Sequence, residues 1–327
     1  MAEPAADPGS IRPPVVPPGT APPLAILGVT ASGKSALAMA LARERGDVEL
    51  VSVDSMQVYR GMDVGTAKPN AAERAEVRHH GLDLVDPWDP FDVSSFQDAV
   101  RSALLDVHGR GRRPVLVGGT GLYLRAVVDD LEIPGRYPEV ASELEAEADT
   151  VALHGRLAEL DPLGASRMEP NNRRRVARAL EVTLGSGRPF SSFGAGFEAH
   201  PPSPVHLVGL WLPRPVVAER IERRYRQQVA AGFLAEVQRL AAGSPSDGRP
   251  LSHTAAQALG YRELLSHLRG ERSFDQALAE AVIRTRQFAR RQRVWFRRDP
   301  RITWVGGQHD PMVALPALLD EAAALWD

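Results

Sequence analysis

The clearest chemistry in this chain lies in the octet Gly28–Ser35, Gly-Val-Thr-Ala-Ser-Gly-Lys-Ser, which fits the phosphate-binding pattern G-x-x-x-x-G-K-[ST]. Its glycines let backbone N–H groups turn toward an anion, and the following helix adds roughly half a positive charge at its N-terminus. Lys34 can reach the outer phosphate, and the Ser35 hydroxyl can bind Mg²⁺. The pattern predicts a di- or triphosphate site, in which the phosphate could belong to a kinase donor, a hydrolysed nucleotide or a leaving group.

The elements that must position this loop flank it on both sides. The apolar run at residues 24–27 predicts a buried strand, and Leu37, Ala40 and Leu41 recur at helical spacing before Gly46. A strand, a glycine-rich loop and a helix in this order form the context that the phosphate pattern requires. A chance glycine turn is therefore the weaker interpretation of the octet.

Two more polar residues follow predicted strands. The apolar run at residues 48–53 ends at Asp54, and the short run at 114–117 leads into a glycine-rich loop with Thr120. Strands that alternate with helices form parallel sheets, whose ligands lie beyond the carboxyl ends of the strands. Asp54 could ligate Mg²⁺, act as a general base or merely cap a turn, and Thr120 could bind a phosphate oxygen or be a turn residue. We expect both residues close to the octet.

The rest of the chain predicts an α/β fold with a phosphate-loop, kinase-like parallel sheet core. Residues 24–133 and 203–327 form this core with its C-terminal helices, and residues 134–202 are predicted to form a helical insertion domain. The proline-rich residues 1–23 predict a disordered tail, and they lack the basic start and apolar centre of a signal peptide. A long helix is predicted near the C-terminus, with an inner stripe of apolar residues: Leu278, Ala281, Val282, Phe288 and Trp295.

Composition excludes several classes of protein. The 327 residues contain no cysteine, which excludes disulfides, thiolate zinc sites and cysteine nucleophiles. No apolar run approaches the ~20 residues of a membrane-spanning helix, so no membrane partner is expected. The adjacent His79 and His80 would point to opposite faces of a strand, which favours a structural role over a metal site. A cytoplasmic location is expected.

Arginine is clustered although the net charge is only −2. Residues 284–298 hold seven arginines and no acid, and residues 167–178 hold five arginines and the single acid Glu169. Such clusters suit contacts to a nucleic-acid backbone. The alternative is a pair of solvated helix faces with ion pairs, which is less favoured because acids are scarce nearby.

A series of motifs in fixed order resembles the bacterial tRNA dimethylallyltransferase (isopentenyl-tRNA transferase) family over residues 24–305. The motifs are the octet, DSMQVYRGMDVGTAKP from Asp54, FDVSSF from Phe91, GGTGLYL from Gly118, PNNRRRVARALEV from Pro170, GYRE from Gly260 and TRQFARRQRVWFR from Thr285. The resemblance implies transfer of a dimethylallyl group from dimethylallyl diphosphate to N6 of the adenosine immediately 3′ of the tRNA anticodon. It also implies Mg²⁺ as cofactor and a monomer.

The resemblance assigns roles to individual residues. Asp54 is the expected general base, Thr120 bonds the diphosphate near the bond that breaks, and Lys34 neutralises the leaving group. The diphosphate is bound by residues of the octet and by one arginine downstream: Gly28, Val29, Thr30, Ala31, Ser32, Gly33, Lys34, Ser35 and Arg224. The anticodon stem-loop of tRNA is bound by four segments and Thr120: Asp54, Ser55, Met56, Gln57, Thr120, Asn172, Arg173, Arg174, Arg175, Val176, Gln257, Gly260, Tyr261, Arg262, Arg290, Arg291, Gln292, Arg293 and Arg297.

The chain departs from the family pattern at a few positions, and two other functions compete with the one implied. Val29 stands where the family usually has proline, and Asn172 replaces a usual aspartate. A small-molecule or nucleotide kinase could carry the same phosphate loop, but it would not need the arginines of residues 284–298. A nucleotide-gated RNA-binding protein would bind RNA without forming a product.

Overall fold

A computed structural model describes residue 16 and residues 19–194, 199–308, 310–312 and 315–326. Most of the predicted tail at residues 1–23 lies outside the described residues. The chain divides into two compact units, a larger one of Met1–Val128 with Pro202–Asp327 and a smaller one of Asp129–Pro201. The smaller unit begins at Asp129, whereas the sequence placed the start of the insertion at Pro134.

The core of the larger unit is a parallel sheet, as expected. Six strands among the described residues pair in the order β3-β2-β4-β1-β5-β6, and every pairing is parallel. The strands are β1 (Leu24–Gly28), β2 (Val48–Val53), β3 (His79–His80), β4 (Arg113–Gly118), β5 (His206–Trp211) and β6 (Thr303–Gly306). The central strand β1 is fully buried, which explains its continuous apolar run.

Helices connect the strands and form the smaller unit. In the described part of the chain the α-helices are α1 (Lys34–Arg45), α2 (Ala71–Glu76), α3 (Val93–Gly109), α4 (Gly121–Val128), α5 (Pro138–Ala146), α6 (Thr150–Leu160), α7 (Pro162–Ser166), α8 (Arg173–Ser186), α9 (Arg214–Ala230), α10 (Phe233–Ala241), α11 (His253–Ala256), α12 (Tyr261–Leu268), α13 (Phe274–Phe296) and α14 (Leu315–Ala324). Among the described residues, none of these helices has the length and apolar character needed to cross a bilayer.

The two faces of the sheet have separate cores. Ala25 and Leu27 of β1 belong to the cluster that includes α3, α9, α10, α12 and α13, whereas Leu24 and Ile26 belong to the cluster with α1 and α14. Alternate residues of a strand point to opposite faces, so β1 supplies both cores. This central burial fixes the carboxyl end of β1, where the phosphate loop begins.

The chain leaves the larger unit after α4 and returns to it before β5. Ser203 Oγ donates to Val128 O at 3.2 Å and accepts from Val205 N at 3.1 Å. Within the smaller unit, α5, α6 and α8 pack around Leu157, Val176 and other buried apolar residues. The two ends of the inserted segment are thus tied together at one point of the larger unit.

The inner stripe of α13 differs from the predicted one. Its buried residues are Ala277, Ala281, Thr285, Ala289, Gln292 and Phe296. Of the predicted stripe only Ala281 belongs to this set, and Leu278, Val282, Phe288 and Trp295 are half-buried beside it. Small residues on the inner face let the helix approach the sheet closely, and the larger apolar residues flank that contact.

Candidate active site

The phosphate loop connects β1 to α1 with a backbone that its sequence requires. Gly33 has φ +96°, a left-handed conformation that glycine adopts without strain, and Ala31 has φ +60°. A Cβ at Gly28 would lie 2.6 Å from Ser32 Oγ. Ser32 N donates to Val29 O at 3.2 Å, which closes the turn. The structure therefore gives the octet the compact turn expected of a phosphate loop.

The cations of the site are Lys34 and Arg224. Burial, helped by the charge of Arg224, lowers the pKa of Lys34 to about 8 against the opposing attraction of Asp54. Arg224 Nη1 donates to Thr30 Oγ1 at 3.2 Å, and burial lowers the pKa of Arg224 too. Two desolvated cations beside one loop form a strong site for a polyanion.

Asp54, Thr120 and the phosphate loop lie together because β2, β4 and β1 are neighbours in the sheet. Ser55 N donates to Thr120 Oγ1 at 3.4 Å. Asp54 Oδ1 accepts from Met56 N at 2.8 Å and from Gln57 N at 3.3 Å, and among the described residues nothing donates to Oδ2. One oxygen thus fixes the carboxylate and leaves the other for a ligand.

Lys34, Asp54 and Arg224 line one cavity of about 300 Å³, and Thr120 follows the wall residue Gly119 without being part of the wall itself. Its walls include residues of the phosphate loop, the two strand-end loops and helices α9 and α13, among them Lys34, Ser35, Asp54, Gln57, Gly119, Arg220, Arg224 and Gln292. A second cavity of about 330 Å³ lies at the amino ends of β5 and β6, with Ser203 and Arg301 in its walls. The first cavity is the candidate site because it holds the cations and the carboxylate.

The loop after Asp54 is anchored by its own polar side chains. Gln57 Nε2 donates to Thr66 O at 3.1 Å, and Gln57 Oε1 accepts from Ser52 Oγ at 2.8 Å. Lys68 is buried, and its Nζ donates to Tyr59 O at 2.5 Å and to Asp83 Oδ1 at 2.6 Å. The Gln57 side chain, expected at tRNA, therefore holds the shape of its own loop.

A buried carboxylate fixes the same loop from the other side. Glu236 accepts from the backbone N–H groups of Asp63, Val64 and Gly65 at 2.9, 2.8 and 3.1 Å. It also accepts from the Tyr261 hydroxyl at 2.5 Å, and burial, with the charge of Glu236, raises the pKa of Tyr261. Glu236 was not predicted from the sequence, because its partners lie far away along the chain.

The third predicted tRNA segment is split between the interior and the surface. Tyr261 is fully buried, and Gly260 N donates to Glu263 Oε2 at 2.8 Å. Gln257 and Arg262 are exposed, and Arg262 Nη1 donates to Gln257 Oε1 at 3.2 Å. Only the two exposed side chains of this segment are presented to a macromolecule.

The arginine run of the smaller unit begins α8. Asn172 caps the helix by accepting from Arg175 N at 3.4 Å. Arg173 Nη2 donates to Leu144 O at 3.1 Å, whereas the side chains of Arg174 and Arg175 are exposed. Val176 is completely buried in the core of this unit, so its side chain is not available to tRNA.

The arginine run of the larger unit lies on α13. Arg290, Arg291 and Arg297 are exposed. Arg293 Nη2 donates to Leu212 O at 2.5 Å, and Gln292 is buried with only 7% of its surface accessible. The predicted segment therefore mixes outward-facing cations with residues that hold the helix in place.

The alternative of ion-paired arginines applies to the start of this run. Arg284 Nε lies 2.7 Å from Glu280 Oε1, and Arg286 pairs with Glu222. Glu280 precedes the run and Glu222 lies on α9, outside the acid-free window of the sequence. Ion pairing thus accounts for Arg284 and Arg286, and Arg290, Arg291 and Arg297 are left as the exposed arginines available for nucleic-acid contact.

Arg220 is a cavity residue that was not predicted from the sequence. Its Nε donates to Ala31 O at 2.7 Å, and its Nη1 pairs with Asp310, which also pairs with Arg223 at 2.6 Å. Arg220 precedes Arg224 by four residues, which places both on one face of α9. That spacing was the available signal.

The paired histidines have structural roles. His79 Nδ1 lies 2.7 Å from Val77 O, and His80 Nε2 lies 2.7 Å from Glu49 Oε2. Among the described residues no group of three His, Cys, Asp or Glu side chains could hold a metal ion. The structural interpretation of His79 and His80 agrees with these contacts.

Sequence comparison assigns this arrangement to a family. The profile described as IPP transferase matches residues 57–299, and the profile described as isopentenyl transferase matches residues 24–83. The chain belongs to the IPP transferase family. This membership confirms the resemblance found in the motif series.

Curated members of the IPP transferase family align over nearly the whole chain. The tRNA dimethylallyltransferase of a Nocardioides species is 45% identical over 311 residues, which cover 94% of this chain and 96% of that protein. The tRNA dimethylallyltransferase of Pseudarthrobacter chlorophenolicus is 45% identical over 304 residues, which cover 91% and 98%. The family assignment thus includes the helical insertion and both arginine runs.

Solved structures of IPP transferases share the fold. The full-length tRNA isopentenylpyrophosphate transferase of Bacillus halodurans superposes with a TM-score of 0.66 at 35% identity, covering 94% of this chain and 97% of its own. A eukaryotic dimethylallyltransferase acting on tRNA gives a TM-score of 0.75 at 24% identity, covering 93% and 78%. At the latter identity the likeness concerns the fold alone.

Proposed function

We propose that this chain transfers a dimethylallyl group from dimethylallyl diphosphate to N6 of the adenosine immediately 3′ of a tRNA anticodon. The observation that carries the proposal is the shared cavity, which holds a phosphate loop with two cations and a carboxylate with one free oxygen. A phosphate-binding protein needs the loop and the cations. A carboxylate with a free oxygen beside them suits an acceptor that must lose a proton.

The phosphate loop binds the diphosphate of the donor in this proposal. Residues 30–35, which include Lys34, and Arg224 surround it. Ser32 Oγ is a buried hydroxyl with no hydrogen-bond partner among the described residues. As the C–O bond of the donor breaks, negative charge grows on the departing diphosphate. Lys34 and Arg224 are held in a desolvated site, where their positive charges stabilise the growing negative charge strongly. This stabilisation lowers the barrier to transfer.

Asp54 accepts the proton of the acceptor. The lone pair of an exocyclic adenine amine is delocalised into the ring, so the amine is a poor nucleophile. The new C–N bond forms as the C–O bond breaks, and Asp54 Oδ2 takes the N6 proton. Oδ1 is held by Met56 N and Gln57 N, which keeps Oδ2 directed at the acceptor. Thr120 bonds the diphosphate near the bond that breaks.

Mg²⁺ fits the oxygen donors of the cavity. Mg²⁺ commonly takes one or two protein oxygens together with substrate phosphates and water. Ser35, at the start of α1, lines the cavity and offers a hydroxyl, and the diphosphate supplies further oxygens. We propose Ser35 as the protein ligand of Mg²⁺, which when bound neutralises charge on the diphosphate.

The exposed arginines hold the tRNA. In the smaller unit Arg174 and Arg175 extend from the first turn of α8, where the helix dipole disfavours cations and favours phosphate. In the larger unit Arg290, Arg291 and Arg297 are exposed on α13. The target base must leave its stack to reach the cavity, at a cost of a few kcal/mol that these contacts offset.

The protein acts as a cytoplasmic monomer in this proposal. The cavity takes all its residues from one larger unit of a single chain, so the site needs no second copy. A chain without cysteine suits the reducing compartment in which tRNA is modified. Light scattering during gel filtration, with and without tRNA, tests the oligomeric state.

A transfer assay tests the proposed function. The protein is incubated with Mg²⁺, labelled dimethylallyl diphosphate and tRNA that lacks the modification, and the digested tRNA is searched for N6-dimethylallyl-adenosine. We expect product that depends on tRNA and disappears in Lys34→Ala. Phosphoryl transfer from ATP without tRNA would instead support the kinase alternative, and tRNA binding without product would support an RNA-binding protein.

A further inference from the structure

Gln292 connects two loops of the cavity through its side-chain amide. Its Oε1 accepts from Thr30 N at 2.9 Å, and its Nε2 donates to Gly119 O at 2.7 Å. The side chain projects from the inner face of α13 and is buried. A neutral amide both accepts and donates, whereas a carboxylate or an ammonium group cannot do both.

The backbone alone does not join these two loops. Strands β1 and β4 pair up to Leu27 and Gly118, and beyond that pair the chain turns into the phosphate loop on one side and toward Thr120 on the other. Thr30 and Gly119 lie just past this last pair. Gln292 therefore continues the connection between the strands at the point where regular pairing stops.

Gly119 leaves the space that this bridge requires. A Cβ there would lie 2.6 Å from Gln292 Nε2 and 3.0 Å from Gly28 O. The same Cβ would lie 3.6 Å from Lys34 Nζ. A side chain at position 119 would push the amide away from its partners, so Gly119 and Gln292 form one structural unit.

We propose that Gln292 is a positioning residue that fixes the phosphate loop relative to the loop carrying Thr120. The inference rests on the proposed function, in which both loops hold the same diphosphate. The family resemblance places Gln292 among the tRNA contacts, but both ends of its buried amide bond the protein itself. Its removal should therefore disturb the donor site and leave tRNA binding intact.

Gln292→Met tests this role because methionine has nearly the same volume and lacks the amide. We expect inorganic diphosphate with Mg²⁺ to bind about tenfold more weakly, since the loop loses one of its backbone hydrogen bonds. We expect kcat for transfer to fall about 10- to 100-fold, because small displacements of reacting groups are costly. The Kd for tRNA should stay within about twofold, consistent with burial of the amide and with an intact fold.

Gln287→Met is the matched control, since Gln287 is exposed on the same helix. This variant should match the wild-type protein in diphosphate binding and kcat. Weaker tRNA binding by Gln292→Met with unchanged diphosphate binding would overturn the inference. A Gln292→Met protein whose Kd for diphosphate, kcat and Kd for tRNA all equal those of the wild type would overturn it too. If the wild-type protein forms no prenylated tRNA, the proposed function fails, while the diphosphate measurement still decides the role of Gln292.

Gly119→Ala provides a second variant that reaches the same bridge from the other side. Its methyl group displaces the amide, so it should weaken diphosphate binding as Gln292→Met does. The double variant should lose less than the product of the two single effects, because both remove one bridge. Effects that multiply would show that the two residues act separately and would overturn the inference.

Discussion

The cavity and the exposed arginines hold their polar groups in opposite ways. Around the cavity Asp54, Gln57 and Gln292 bond backbone atoms of the same unit, and each has a fixed orientation. Arg174, Arg175 and Arg290 extend into solvent. The cavity depends on geometry, whereas the arginine surfaces depend on charge, so substitutions in the two regions should change different constants.

Each arginine run also contains members whose side chains bond backbone carbonyl groups of the protein itself. Arg173 donates to Leu144 O and Glu145 O at the end of α5, where the helix dipole favours a cation. Arg293 donates to Leu212 O, at the end of β5. Arginines in one run thus have different roles, some bonding the protein itself and others offering charge to solvent.

The largest effect is expected for Asp54→Asn. The amide can still accept from the N–H groups of Met56 and Gln57, so the loop keeps its shape while the base is removed. We expect kcat to fall about 10²- to 10⁴-fold with little change in tRNA affinity. Single-turnover transfer and filter binding measure the two quantities. A similar decrease in both would mean that Asp54 holds tRNA rather than the proton.

A pH profile tests the cavity cation next. Lys34 has a pKa of about 8 in the free protein, so its charged fraction falls about tenfold for each pH unit well above that value. Since charged Lys34 is needed for the departing diphosphate, kcat/KM for the donor should decline above about pH 8. Lys34→Arg stays charged, and whatever activity it retains should not show this decline. A flat wild-type profile to pH 10 contradicts the assigned role.

The double substitution of Arg290 and Arg291 by alanine tests the charge-dependent region. tRNA affinity should fall, and the slope of log K against log salt should flatten by roughly one unit for each tRNA phosphate that is no longer neutralised. Saturating tRNA should restore kcat, since the cavity is untouched. Arg286→Ala serves as control because Arg286 already pairs with Glu222. An unchanged salt slope in the double variant would place both arginines outside the tRNA interface.

The smallest effect is expected for Arg173→Ala. Removal of its hydrogen bonds to the end of α5 should lower the free energy of unfolding of the smaller unit by about 1 kcal/mol. Arg174→Ala, one residue further, should leave stability unchanged and weaken tRNA binding. Thermal melting followed by circular dichroism, with tRNA titrations in parallel, separates the two. Equal changes in melting temperature and in tRNA affinity for both variants would contradict the distinction between anchoring and exposed arginines.

Sequence alone predicted the main elements of the sheet and the meeting of the three loops. The octet, Asp54 and Thr120 each follow an apolar run, and parallel strands bring their ends together. The short edge strands β3 and β6 were not predicted, because two to four residues carry too little periodicity to be detected. The family series added the reaction, which no pattern in these residues specifies.

The orientation of individual side chains was harder to predict. Gln292 and Tyr261 were both expected at tRNA, and both are buried. An inner stripe chosen by apolar residues cannot include a glutamine, and the hydroxyl partner of Tyr261, Glu236, lies on another helix. Such pairings depend on packing between distant segments, which a single sequence does not contain.

The contact between Ser203 and Val128 bears on the ancestry of this chain. The inserted segment leaves and re-enters the larger unit at neighbouring residues, so a short linker could replace it without changing the path of any strand. All six described strands lie outside the inserted segment, so exchange of the segment would alter no strand of the sheet. Evolution could therefore acquire, change or lose this segment separately from the cavity, and in the proposed function such a change would alter RNA binding without altering the catalytic residues.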